Sequence, residues 1–172
     1  STEPMLTAAL LLMLAQAPPA DPFAPVQRLV GEWTGTPEGQ PGKGTATRQY
    51  RFALHGKYLE VRNKSVYPPQ EKNPKGETHE DWGMISYDKR RQRLVLRQFH
   101  GEGFVNQYVA EPPSSDGSLR FVSESIENIP PGFRARETYV FHGSGAFEEV
   151  FELAEPGKEF EVYSRTRFTR AH

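Results

Sequence analysis

From Gly31 onward, clusters of turn-forming residues recur too often to leave room for a long helix. PEGQPGKG, LHGK, PPQEKNPKGE, DKRR, PPSSDG, NIPPG, HGSG and EPGK cut the chain into short runs rich in Val, Thr, Tyr and Phe. Gly and Pro supply backbone angles that regular elements do not use, so each cluster marks a connection and each run between them a strand. The runs predict strands at about 31–37, 44–54, 57–67, 77–87, 92–100, 103–111, 118–127, 133–142, 145–153 and 159–169. Short connections make neighbours antiparallel. Roughly ten strands of this kind form an up-and-down meander, and closing it into a barrel removes the unpaired edges. A β-sandwich is the other solution, disfavoured because long crossovers are nearly absent. Before the first strand, Phe23, Val26, Leu29 and Val30 fall at helical spacing and predict a short helix over Phe23–Val30, with Pro25 tolerated in its first turn.

Alternation within the strands says what lies inside. Leu59 and Val61 share a face with Asn63 and Ser65. Phe133, Ala135, Tyr139 and Phe141 share one with Glu137, and Phe147, Phe151 and Leu153 with Glu149. Phe160, Val162 and Phe168 are expected on one face with Ser164 and Thr166. A solid core avoids such groups, since each buried polar group costs a few kcal/mol unless it is bonded. A ligand cavity needs the mixture. The expectation is therefore a hollow barrel.

Composition narrows the function classes. With 21 basic and 22 acidic residues in 172, the chain lacks the concentrated positive charge of a general nucleic-acid binder. It has no cysteine, which excludes disulfides, thiol catalysis and cysteine zinc sites. Met5–Ala17 is an apolar run ending in Ala15-Gln16-Ala17, the pattern of a secretory signal peptide, although no basic segment precedes it. The run is too short to span a bilayer comfortably. Residues 1–17 are thus read as a signal peptide, 18–22 as a linker and 23–172 as one domain. The expected location is outside the cytoplasm, periplasmic or extracellular, with no membrane span after cleavage.

The stretch Val95–Val109, VLRQFHGEGFVNQYV, carries the candidate site. A three-residue Gly101-Glu102-Gly103 turn, with Gly103 in the left-handed position, pairs Gln98 with Asn106 and Leu96 with Tyr108. Gln98, His100, Asn106 and Tyr108 then share a face with Leu94, Leu96 and Phe104. With Glu137 from a later strand, these are the expected ligand-binding residues. On the preceding hairpin, pairing Tyr87 with Gln92 places His79 opposite His100, Asp81 opposite Gln98, and Trp82 opposite Arg97. His79 and His100, with an oxygen from Glu77, Asp81 or Glu102, would then form a divalent-metal set. His55, His142 and His172 are expected at the surface.

Leu29-Val30-Gly31-Glu32-Trp33-Thr34-Gly35 resembles the opening of calycin-like barrels, in which a G-x-W segment begins the first strand after a short helix. The later segments His55–Leu59 and Glu77–Gly83 make the chain similar to the lipocalin-like and nitrobindin-like bacterial barrels, whose fold resembles that of fatty-acid-binding proteins. The resemblance spans roughly residues 23–170. It implies that Trp33 plugs one end of the barrel and that a basic residue of the last strand, Arg165 or Arg167, covers it. Nitrobindins hold haem through a histidine near the C-terminal end of the barrel, but the last strand here, EFEVYSRTRFTR, has none, and His172 lies beyond it. The leading expectation is an exported barrel that binds a small, partly apolar ligand and requires no cofactor. The alternatives are an isomerase or hydrolase with His100 as acid/base and Asn106 or Tyr108 polarising the substrate, a haem- or metal-binding barrel using His79 or His100, and a solid structural module.

Overall fold

The computed structural model describes residues 20–172, so the signal-peptide reading of 1–17 and most of the linker lie outside the described residues. The predicted short helix is a 3-10 helix, Ala24–Leu29, with Pro25 in its first turn. Strands β1 (Gly31–Gly39), β2 (Gly42–Lys43), β3 (Thr45–Ala53), β4 (Tyr58–Tyr67), β5 (Glu77–Asp88) and β6 (Arg93–His100) follow. Then come β7 (Val105–Ala110), β8 (Leu119–Glu127), β9 (Arg134–His142), β10 (Ala146–Ala154) and β11 (Glu161–Arg170). Ten strands pair in sequence as an antiparallel meander, and β11 closes the ring on β1 from Trp33↔Arg170 to Gly39↔Ser164. The short β2 is an extra, pairing only with the end of β1. Among the described residues, no helix is long and apolar enough to cross a membrane.

One end of the barrel is filled. Val26 and Leu29 of the helix are fully buried against Trp33, Phe147 and Phe168. Phe147 meets Trp33 edge-on at 4.7 Å and stacks on Phe168 at 4.9 Å. Gly35 has no side chain because none fits: a Cβ there would lie 2.7 Å from the Phe168 ring. Trp33 Nε1–H donates to Leu29 O at 2.8 Å, which fixes the indole beneath the helix. Its cover is Arg170 rather than Arg165 or Arg167, with the guanidinium carbon 4.2 Å from the ring centroid. Arg165 and Arg167 alternate with the inward residues Thr166 and Phe168, so both point outward. Arg170, at the strand end beside Trp33, also donates to Arg28 O, Val30 O and Ser144 O.

Besides a register shift between β7 and β8 at Gln107/Tyr108, two irregularities redirect side chains. On β11, Ser164 pairs with Phe151 but Val162 with Glu152, leaving Tyr163 as an extra residue. Face parity inverts there. Val162 is consequently 41% exposed instead of inward, Tyr163 turns towards the interior, and Phe160 meets Arg134 and Arg136. Between β8 and β9 the ladder ends at Val122↔Arg136, although β8 continues to Glu127. The Ser123 hydroxyl accepts the Ala135 N–H, satisfying the first backbone donor beyond the ladder. The sheet is therefore split towards the end opposite Trp33.

Arg170→Ala should lower unfolding free energy by about 2–3 kcal/mol through the loss of the stack and of the bonds to the C-terminal end of the helix. Arg170→Lys should recover less than half of that, because an ammonium lacks the planar fork. Urea denaturation of the three proteins checks both expectations.

Candidate functional site

Above the aromatic plug, the inward positions of successive strands turn polar and form a belt around the middle of the barrel. Arg48 (β3) lies between Asn63 (β4) and Glu149 (β10). Its Nε–H donates to Asn63 Oδ1 at 2.9 Å, and its two terminal nitrogens donate to Glu149 at 2.5 and 3.1 Å. It also donates to Tyr50 Oη and rests over the Phe168 ring at 4.3 Å. An isolated buried guanidinium is prohibitively costly, and this one is held by a bidentate carboxylate. Asn63 then passes its own N–H to Asp81 (β5) at 3.1 Å, and Gln98 (β6) donates to the other Asp81 oxygen at 2.7 Å.

The belt opens into a cavity of about 490 Å³. Gln98, His100, Asn106 and Glu137 line it, as does His79. Tyr108 does not. It is fully buried behind the wall, where its hydroxyl accepts Asn106 Nδ2–H at 2.7 Å. Apolar surface comes from Phe104, Ile126, Phe133, Phe151 and Leu153, several of them beside the split between β8 and β9. Tyr163 enters the lining through the β11 bulge, and alternation alone could not place it there. Gln98 pairs with Asn106 and Leu96 with Tyr108, so the three-residue turn stands, with Gly103 at φ 96°.

The β5–β6 register differs from the expectation. Asp81, not His79, lies opposite His100; Gly83 is opposite Gln98, and Trp82 opposite Phe99. The connection runs over residues 89–92, so Asp88 pairs with Arg93, and the ladder is shifted by two residues. An even shift preserves faces, so His79 still reaches His100 diagonally, with Nε2 3.3 Å from His100 Nδ1. His55 and His142 are exposed, and so is the terminal His172.

Electrostatics separate the two histidines. His79 lies between Asp81 and Glu102, with nitrogen–oxygen distances of 3.1 and 2.6 Å, and these bonds raise its pKa to about 9 against the opposing effect of burial. His100 is pressed flat on Phe104 at 4.0 Å, and desolvation lowers its pKa to about 4. At neutral pH, His79 is therefore an imidazolium and His100 a neutral ring. The charged His79 has both N–H groups to donate, so His100 accepts on Nδ1 and carries its proton on Nε2. That Nε2, Gln98 Oε1 and Asn106 Oδ1 are buried polar atoms with no hydrogen-bond partner. Glu137 takes one hydrogen bond, from Tyr139 Oη at 2.7 Å, and burial together with nearby Glu149 raises its pKa to about 8.

The folded-state pKa of Glu137 lies above its ordinary value, so the neutral acid is the form the fold favours. Its contribution to stability is complete below about pH 4.5 and is lost as pH rises towards 8. Glu137→Gln should remove that loss. The difference in urea midpoint, variant minus wild type, should rise between pH 5 and pH 8, and an unchanged difference would contradict the assignment.

No protein-family model and no curated protein matches the chain. Among solved structures, the crystal structure of Rv2717c from M. tuberculosis is similar, with a TM-score of 0.66 at 14% identity, over 89% of this chain and 99% of that one. The likeness is one of fold. The chain is a closed, ten-stranded antiparallel β-barrel with one extra strand, consistent with a calycin-like architecture.

Proposed function

We propose that this barrel binds a small, partly apolar molecule in the cavity above its polar belt and acts outside the cytoplasm. The observation that carries the reading is the trio of unpartnered atoms on Gln98, His100 and Asn106, all residues of the cavity wall. An unpaired buried polar atom costs about 1–3 kcal/mol, so a ligand that supplies partners recovers that energy. The aromatic and aliphatic lining would hold the apolar body while the belt orients the head. Residues 1–17 support export by sequence pattern alone. An isomerase or hydrolase reading has less support, because His100, depressed to about 4, is a poor base near neutrality. A haem reading has less support than an uncharged or cationic ligand. The inward residues of β11 are Tyr163, Ser164, Thr166 and Phe168, with no histidine among them, and the propionates would meet carboxylates rather than free cations.

A second reading rests on one cluster. Ligand atoms of His79, His100 and Glu102 lie within 4.8 Å of one another at the cavity mouth, a separation that a modest rearrangement closes around a divalent cation.

N-phenyl-1-naphthylamine, an uncharged probe that fluoresces in apolar surroundings, should bind the wild type at a single saturable site. Leu153→Trp, which narrows the cavity with a bulkier ring, should weaken the signal, and Gln98→Leu should alter affinity by about tenfold without unfolding the barrel. Equal binding by wild type and Leu153→Trp would remove the cavity reading. For the second reading, zinc titration calorimetry should give one site, lost in both His79→Ala and His100→Ala and weakened in Glu102→Gln. No heat at micromolar protein would dismiss it.

A further inference from the structure

We infer that the cavity selects a small organic cation, a protonated amine on an apolar body, over an anion of the same shape. The inference rests on the ligand-binding reading and adds the charge of the ligand head. Five carboxyl groups line the cavity, Glu77, Asp81, Glu102, Glu137 and Glu149, and among the described residues only Arg48 and His79 oppose them as cations. Both cations are already engaged. Arg48 donates to Glu149 twice, to Asn63 and to Tyr50, and His79 lies between Asp81 and Glu102. A ligand carboxylate would find no unengaged cationic donor and would enter a region of like charge.

Acceptors are in surplus. Gln98 Oε1 and Asn106 Oδ1 have no donor, both belong to side chains more than nine-tenths buried, and the two residues are directly paired across β6 and β7. The orientation of Gln98 is set by Asp81, which takes its amide N–H and leaves the oxygen on the other side. Glu137 adds a carboxyl with a single hydrogen bond, from Tyr139. A primary ammonium brings three N–H donors, which match the oxygens of Gln98, Asn106 and Glu137; the one orphan donor of the wall, His100 Nε2–H, is not answered by it. The apolar body would lie against Phe133, Phe151 and Leu153.

Binding a cation here carries a proton signature. Glu137 is faced by Arg48 and Tyr50 from β3, Asp81 from β5, Tyr108 from β7, Tyr139 on its own strand and Glu149 from β10. Burial and the neighbouring carboxylates keep its proton on. An ammonium beside it reverses that balance, so the Glu137 O–H bond breaks, the carboxylate remains as counter-ion, and the proton passes to the buffer.

Isothermal titration of the wild-type chain with octylamine, octanol and octanoate at pH 7, in two buffers of different ionisation heat, tests the inference. Octylamine should bind at least about tenfold tighter than octanoate, and more tightly than octanol, with net proton release. Glu137→Gln should remove the release and most of the amine preference. Octanoate or octanol binding as tightly as octylamine, or amine binding without proton release, would overturn the charge preference and leave small-molecule binding standing. The same holds if N-phenyl-1-naphthylamine binds and octylamine does not displace it. Failure of every probe, N-phenyl-1-naphthylamine included, would overturn both readings.

Discussion

The Arg48–Glu149 pair is the constraint around which the interior is organised. A guanidinium in the middle of a barrel requires a carboxylate at close range, and the two residues are 101 positions apart in sequence. Their union ties β3 to β10 through the barrel's interior, between strands that are not neighbours in the sheet. Once both are buried, every nearby polar group must be arranged to suit them. Asn63 satisfies Arg48 and passes a hydrogen bond to Asp81, and Asp81 in turn orients Gln98 and His79. Removing either member of such a pair leaves an uncompensated charge, which is far more costly than the pair itself is stabilising.

The belt also divides the barrel into two parts with different roles. On one side, Trp33, Phe147 and Phe168 pack against each other beneath the helix, and Arg170 fastens that helix to the last strand. This end is solid and supplies stability. On the other side the side chains withdraw from the axis, β8 and β9 part, and the cavity opens. Charge balance follows from the division. Glu149 offsets Arg48, while Asp81 and Glu102 offset His79. Glu137 remains without a cation of its own and keeps its proton.

Much of the fold was legible because turn chemistry and face alternation are local. The glycines at 101 and 103 gave the β6–β7 register and placed Gln98, His100 and Asn106 on one wall. Asn63, Ser65, Glu137 and Glu149 announced a polar interior simply by sharing faces with apolar residues. What was not legible depends on quantities that alternation does not encode. A two-residue shift in β5–β6 changes partners but not faces, so the meeting of His79 with His100 survived while their direct pairing did not. A bulge does the reverse: it inverts faces locally, which brought Tyr163 inward and put Val162 outside. Arg170 took the role expected of Arg165 or Arg167 because parity points those two outward. The Arg48–Glu149 contact spans the interior, and no local pattern connects the two residues.

The central claim is that the belt and the space above it are built to hold a small molecule. Gentle native mass spectrometry of the full-length protein, purified without detergent from the cells that make it, addresses that claim most directly. The account predicts one retained species of small mass, released on denaturation and less abundant in Leu153→Trp. Identical masses under native and denaturing conditions, together with a high-resolution structure showing only water bonded to Gln98 Oε1 and Asn106 Oδ1, would contradict it.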